Sequence, residues 1–261
     1  MGEAAAKLGI CVLLPFYNNK NSVGEVITSL AESGYKIIAV DDGSDDGSLE
    51  IVTKLRDAVP ETIVGLVSYR KNKGKGYALT QGFYHAWRMG FRYALTFDAD
   101  GQHTVSSADA LIQAASEMSS QELEGSILIG SRAKRGKDSS SRFANNFSNF
   151  WMMVQTLRKL PDTQSGCRLY PLSEVGVKHY FSTRYEFEIE VLVRGAWNGL
   201  NLVPVPIEVV YEQAERVSHF RPGKDFLRIT CLNVLLTLLS PIYGYPKIVI
   251  NKLQGEGRKS V

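Results

Sequence analysis

The segment Thr96-Phe97-Asp98-Ala99-Asp100-Gly101-Gln102-His103 runs from an apolar stretch straight into two acids separated by one small residue, with a carboxamide two positions further on. Residues i, i+2 and i+4 of an extended chain project to one side, so Asp98, Asp100 and Gln102 can offer three oxygens to a single point. Hard cations such as Mg²⁺ and Mn²⁺ take a few oxygens of this kind and fill the octahedron with phosphate oxygens and water. The competing interpretation is turn and helix-cap chemistry, because Asp-Gly is common in turns.

A second acidic run, Val40-Asp41-Asp42-Gly43-Ser44-Asp45-Asp46-Gly47-Ser48, also follows an apolar stretch. Asp41 and Asp42 could accept hydrogen bonds from a base edge or from ribose hydroxyls, while Asp46 or Ser48 caps the next helix. An EF-hand is excluded, since counting from Asp42 puts Thr53 where the loop needs its twelfth-position Glu. Pro15-Phe16-Tyr17-Asn18-Asn19 places an aromatic ring and amides where they could hold a nucleobase, although Phe16 or Tyr17 would equally suit a core. Asn72-Lys73-Gly74-Lys75-Gly76 precedes a helix, where backbone amides, the helix dipole and Lys75 favour phosphate. Neither a Walker A loop nor Gly-x-Gly-x-x-Gly after the first strand is present, so ATPase and dinucleotide dehydrogenase readings lose their main support.

The elements needed to position these groups are legible as periodicity. Apolar runs at Ile10 to Leu14, Lys36 to Val40, Thr62 to Ser68, Tyr93 to Phe97 and Ser126 to Ile129 predict strands. Helical periodicity separates them around Leu49 to Leu55, Tyr77 to Met89 and Ala108 to Met118. Ser22 with Glu25 predicts a capping box opening a helix that Gly34 ends. Such alternation predicts an α/β fold with a mostly parallel central sheet and helices on both faces, whose ligands sit outside the C-terminal strand ends. Both acidic runs fall at those ends. From Ser131 to about Asn149 the composition is basic and small, predicting a mobile loop; Thr183 to Gly199 carries a helical stripe, and Leu202 to Tyr211 reads as a strand flanked by prolines.

Composition sets the outer limits. A chain of 261 residues with 44% hydrophobic content can bury one substantial core, predicting one catalytic domain over 1–225 and an apolar, basic extension over 226–261. A net charge of +3 is far from the cationic footprint of a nucleic-acid binder, so nucleic acid is not an expected partner. Cys11, Cys167 and Cys231 show no Cys-x-x-Cys spacing, which fits a reducing cytosol, and Met1 to Leu8 lacks an apolar signal core.

Taken in order, Pro15-Phe16-Tyr17-Asn18, Val40-Asp41-Asp42-Gly43-Ser44, Asn72-Lys73-Gly74-Lys75-Gly76, Asp98-Ala99-Asp100-Gly101-Gln102, Gly130-Ser131-Arg132 and Asp162-Thr163-Gln164-Ser165-Gly166-Cys167-Arg168 resemble family 2 glycosyltransferases of GT-A fold. The branch most similar is that of the dolichol- and polyprenyl-phosphate sugar synthases, and the resemblance runs from about Ile10 to Ile229. It implies an inverting hexosyltransferase using Mg²⁺ or Mn²⁺, a UDP- or GDP-sugar donor and a lipid-linked acceptor. On the donor side it implies Pro15, Tyr17, Asp41 or Asp42, Lys75 and Asp98, with Asp98, Asp100 and Gln102 on the metal. Arg132, Arg142 and Gln164 are expected on the acceptor side. Ser218-His219-Phe220-Arg221 falls where the family places a diphosphate-contacting segment, so His219 and Arg221 join the donor set; His219 stands where the synthases often carry Lys.

The acceptor decides whether a base is needed, since a phosphate oxygen is already nucleophilic and a hydroxyl must lose a proton. Tyr185-Glu186-Phe187-Glu188-Ile189-Glu190 supplies three candidate bases. Glu186 is the preferred one, being an acid where the synthases typically have none, and Glu190 reads as a surface ion pair with Arg194 four residues on. From Ile229 to Pro246 there is no charged residue, with cations on both flanks, which suits a helix lying on the anionic inner face of the cell membrane better than a packed helix or a span. Two rivals remain. A sugar nucleotidyltransferase would need a Gly-rich loop where Pro15-Phe16-Tyr17-Asn18 stands, and a non-catalytic sensor has no need of Asp98, Asp100 and Gln102.

Overall fold

The computed structural model describes residues 1–132, 139–176, 178–208 and 222–257. Seven strands form one sheet: β1 Ile10–Phe16, β2 Ile37–Asp41, β3 Ile63–Ser68, β4 Tyr93–Thr96, β5 Ser126–Arg132, β6 Arg168–Pro171 and β7 Asn201–Ile207, in the order β3-β2-β1-β4-β6-β5-β7. All pairings are parallel except those of β6, which runs antiparallel to β4 and β5. Successive side chains of a strand face opposite ways, and β1 obeys this with Val12 and Leu14 in one core cluster and Cys11 and Leu13 in the other. A central strand buried on both sides has no polar face, which is why β1 reads as a continuous apolar run.

Helices cover both faces: α1 Gly2–Leu8, α2 Val23–Glu32, α3 Ser48–Ala58, α4 Lys75–Arg88, α5 Val105–Ser116, α6 Ser120–Glu124, α7 Ser139–Thr156, α8 Leu172–Val175, α9 Phe187–Trp197, α10 Pro222–Leu239 and α11 Tyr245–Gly257. The first core packs α2, α3 and α5 against the sheet; the second packs α4, α9 and α10 against the other face. This is the mostly parallel α/β sheet with two helical layers that the alternation predicts.

Two local expectations are corrected. The segment expected as a loop over 131–149 contains the end of β5 and the first half of α7, whose apolar residues Phe147, Trp151 and Met152 have helical spacing the basic composition obscured. Ser22 does not cap α2; its hydroxyl donates to the Ala99 carbonyl at 2.6 Å, joining α2 to the acidic end of β4 instead. The reciprocal capping box occurs at Ser119 and Glu122, opening α6. Strand β6 had no periodic signal because it has four residues, one an arginine and one a proline.

At the C-terminus, α10 and α11 are joined by a single π-helical turn, Ser240–Gly244, where Pro241 interrupts the regular hydrogen-bond ladder. The inner side of this long helix docks on α7 and α9. Gln155 of α7 donates to Asn233 Oδ1 at 3.0 Å, and its carbonyl accepts from Trp197 Nε1 at 2.7 Å. Asn251 Nδ2 donates to the Trp197 carbonyl at 3.1 Å and Lys247 Nζ to Asn198 Oδ1 at 2.8 Å. Gly244 admits the Trp197 ring so closely that a Cβ would lie 2.5 Å from Nε1. The outer side is also apolar: Leu238 is 65% and Ile242 78% exposed, and Leu227, Val249 and Leu253 are exposed further along the helix. By length and composition the stretch Gly223–Leu253 could cross a membrane.

Candidate active site

The end of β4 gathers the charges. Lys75, the first residue of α4, places its ammonium 2.6 Å from Asp98 Oδ1 and 3.1 Å from Glu188 Oε1 on α9. All three side chains are largely buried, at 19%, 24% and 16% exposure. Burial opposes charge on Lys75, yet Asp98 and Glu188 together hold its pKa well above the usual lysine value. Burial would likewise raise Asp98, but the Lys75 ammonium keeps it below the usual carboxylate range. Asp100 goes the other way, raised by burial and then by the neighbouring Asp98 charge, with the Gln102 amide donating to its Oδ1 at 3.0 Å. Against Asp98 lies Gly166, where a Cβ would fall 2.2 Å from Oδ2, so only glycine lets the 162–168 segment approach this acid. Thr96 Oγ1 fixes that approach by donating to the Gly166 carbonyl at 2.7 Å.

Asp41 and Asp42, at the end of β2, are almost fully buried and engaged by the protein itself. Asp42 accepts from the Lys73 and Gly74 amides, both at 2.8 Å, and from Asn72 Nδ2 at 2.9 Å. Asp41 Oδ1 accepts from the Ser44 amide at 3.0 Å. Burial raises both carboxyls, and these hydrogen bonds oppose the rise. Gly74 has φ +106° and would put a Cβ 2.5 Å from the Thr183 carbonyl, so the Asn72-to-Gly76 loop is set by Asp42 below and the segment before α9 above. Asn18, itself at positive φ, exchanges hydrogen bonds with Asp45 and donates its backbone amide to the Ser44 hydroxyl oxygen, stitching the ends of β1 and β2. Pro15 is buried, Phe16 is core and Tyr17 is half-buried at the same edge. Asp46 accepts from the Ser48 amide at 2.9 Å and so serves the start of α3.

Arg132 forms a two-pronged pair with buried Asp162, Nε to Oδ2 at 2.6 Å and Nη2 to Oδ1 at 3.0 Å. Asp162 Oδ1 also takes the Gln164 amide, leaving the Gln164 side chain at the surface. Arg142 lies on α7 with its side chain outside the described residues, as are His219 and Arg221 altogether. Glu186 is the N-cap of α9, 7% exposed, with Oε2 buried and unpartnered. Glu190 is not a surface residue: at 0% exposure it accepts from the Phe181 and Ser182 amides as well as from Arg194. The helical stripe hid this because the partners lie in the preceding loop.

Two further residues belong to the site. Glu188 meets Lys75, a pairing 113 positions apart that spacing cannot show. Arg168, fully buried, donates to the carbonyls of Thr163, Ser165 and Glu188 and to the Tyr170 hydroxyl, binding the 162–168 segment to α9. A buried guanidinium satisfied by carbonyls holds backbone in place. Among the described residues no three His, Cys, Asp or Glu side chains form a metal cage. Asp98, Asp100 and Gln102 nevertheless fit Mg²⁺ or Mn²⁺ by donor chemistry, since these ions accept one or two carboxylates with water and substrate phosphates, and added positive charge would relieve the repulsion felt at Asp100.

Comparison with known proteins agrees with this geometry. The chain is 28% identical over 217 residues to UDP-N-acetylglucosamine--dolichyl-phosphate N-acetylglucosaminyltransferase of Methanococcus voltae, spanning 78% of this chain and 86% of that protein. It is 28% identical over 211 residues to polyprenol monophosphomannose synthase of Mycolicibacterium smegmatis, spanning 75% of each. Its fold matches the mannosyltransferase PcManGT of Pyrobaculum calidifontis, solved with GDP-Man and Mn²⁺, at TM-score 0.55 and 16% identity over 95% of this chain and 75% of that one. Residues 11–173, which hold the acids of β2 and β4, the Lys75 loop and Arg168, match the profile of Glycosyl transferase family 2, and the chain belongs to that family.

Proposed function

We propose that this protein transfers a sugar, with inversion, from a UDP- or GDP-sugar to a polyprenyl or dolichyl phosphate at the cytoplasmic face of a membrane, with Mg²⁺ or Mn²⁺. The observation that carries the reading is the Asp98–Asp100 pair just after the central strand β4, facing Lys75 at the start of α4. A divalent ion bound there would neutralise charge developing on the departing nucleotide diphosphate. Asp98, Asp100 and Gln102 are its ligands in this reading, and Lys75 balances the Asp98 charge before the ion binds. The edge formed by Pro15, Tyr17, Asn18 and the β2 acids receives the nucleoside, with the engaged carboxylates of Asp41 and Asp42 shaping the loops around it. Arg132, held by Asp162, and Gln164 stand on the acceptor side of the same strand ends.

A phosphate acceptor requires no base, which suits a site in which Asp98 and Glu188 carry a lysine and Asp41 and Asp42 hold backbone amides. The lipid reading draws on the dolichyl- and polyprenol-phosphate relatives and on the doubly apolar C-terminal helix. Its docked inner side and exposed outer side, flanked by Lys224, Arg228 and Lys252, suit an in-plane position on an anionic leaflet. A second reading, transfer to a hydroxyl with Glu186 as base, is favoured by one observation, the unpartnered buried Glu186 Oε2.

The donor is tested by thermal unfolding with UDP-, GDP- and CDP-sugars, with and without Mn²⁺ or Mg²⁺. A ligand bound only by the folded state raises the melting temperature. One nucleotide class is expected to do so, only with the ion; no shift with any of them contradicts the reading.

A further inference from the structure

Lys75 has more negative charge around it than one lysine needs. Asp98 Oδ1 lies at 2.6 Å and Glu188 Oε1 at 3.1 Å, and Asp100 adds a third carboxylate near Asp98. Glu188 is also fixed from behind, because Arg168 Nη1 donates to its backbone carbonyl at 2.8 Å. Lys75 sits at a helix start with no flexible linker before it: the Gly74 amide is tied to Asp42, and the Tyr77 amide donates to the Thr183 carbonyl at 2.8 Å. The backbone that carries Lys75 is therefore fixed, with its ammonium resting on these two carboxylates.

This arrangement has a consequence for any ligand that engages Asp98. A carboxylate shared between a buried ammonium and a divalent ion brings two cations close together, and each weakens the hold of the other in a site of low polarity. A second carboxylate on the ammonium removes the conflict, since Lys75 can keep its charge on Glu188 while Asp98 turns to the incoming ion. We infer that Glu188 is a positioning residue for donor binding: it holds the Lys75 ammonium so that Asp98 is free to serve the metal and nucleotide. The inference rests on the donor reading above. It assigns Glu188 no contact with donor or acceptor; its effect passes through Lys75.

The test is a double-mutant cycle read by binding, without turnover. Mn²⁺ together with the nucleoside diphosphate that stabilises the wild type is titrated by calorimetry into wild type, Glu188→Gln, Lys75→Met and the double variant. Glu188→Gln is expected to weaken binding about tenfold in the wild-type background and less than about twofold in the Lys75→Met background, as for two residues acting as one unit. Equal losses in both backgrounds mean that Glu188 acts directly on the ligand and overturn the inference, as does no loss in either. Glu188→Asp, which keeps the charge, should bind within about threefold of wild type and serves as the second variant should Glu188→Gln not fold. A folded wild type that binds no nucleoside diphosphate with Mn²⁺ contradicts the donor reading itself, a result distinguishable from any difference among the variants.

Discussion

The acids after β2 and the acids after β4 have the same local origin, an apolar parallel strand that runs directly into carboxylates, and they end in opposite situations. Asp42 is wrapped by three donors from the Asn72-to-Gly74 loop, and Asp41 by the turn that follows it. Their charge is consumed in building the walls of the site. Asp98 is balanced by one lysine that it shares with Glu188, and Asp100 has a single amide on one oxygen. That charge is held in place yet remains available to a ligand. Position at a strand end thus brings an acid to the right edge, and its hydrogen-bond partners decide whether it is scaffold or chemistry.

Substitutions should separate the two sets by what they damage. Asp100→Ala should cut transfer about a thousandfold or more, with a melting temperature close to wild type, because it removes stabilisation of the leaving diphosphate and no packing. Asp42→Ala should instead cost about 3 kcal/mol of stability by stranding buried amide donors, measured by urea unfolding. Near-normal stability in that variant would mean Asp42 is free for ligand after all. Glu190→Gln belongs with Asp42 and should cost about 2 kcal/mol, through the Phe181 and Ser182 amides that lose an anionic acceptor. On the membrane side, Leu238→Glu with Ile242→Glu should reduce sedimentation with anionic vesicles about tenfold while leaving donor binding intact. An unchanged partition would make the outer face of α10 a contact for something other than lipid. The smallest expected effect is Glu186→Gln, with kcat within about threefold of wild type; a hundredfold loss with intact donor binding would establish a hydroxyl acceptor.

Much of this was legible before the structure, for a physical reason. Buried parallel strands must be apolar along their whole length, so β1, β2 and β4 announce themselves, and the acids that end them are placed by the sheet alone. Partners from distant segments were not legible. Nothing near Glu188 in sequence marks it as the companion of Lys75, and nothing near Glu190 shows that it closes the loop before α9. Ser22 followed the spacing of a capping box, yet a carbonyl from the end of β4 claimed its hydroxyl. Helix α7 was hidden by its basic, serine-rich start, and its docking on α10 through Gln155 and Asn233 is a tertiary fact that spacing does not show.

Sugar transfer to a lipid phosphate is tested most directly by offering the purified protein a labelled nucleotide sugar with either polyprenyl phosphate or the matching polyprenol in vesicles. Label is expected in the lipid phase with the phosphate alone, dependent on Mg²⁺ or Mn²⁺ and lost in Asp100→Ala. Label transferred to the polyprenol, or to neither lipid while another hydroxyl-bearing acceptor takes the sugar, would contradict it.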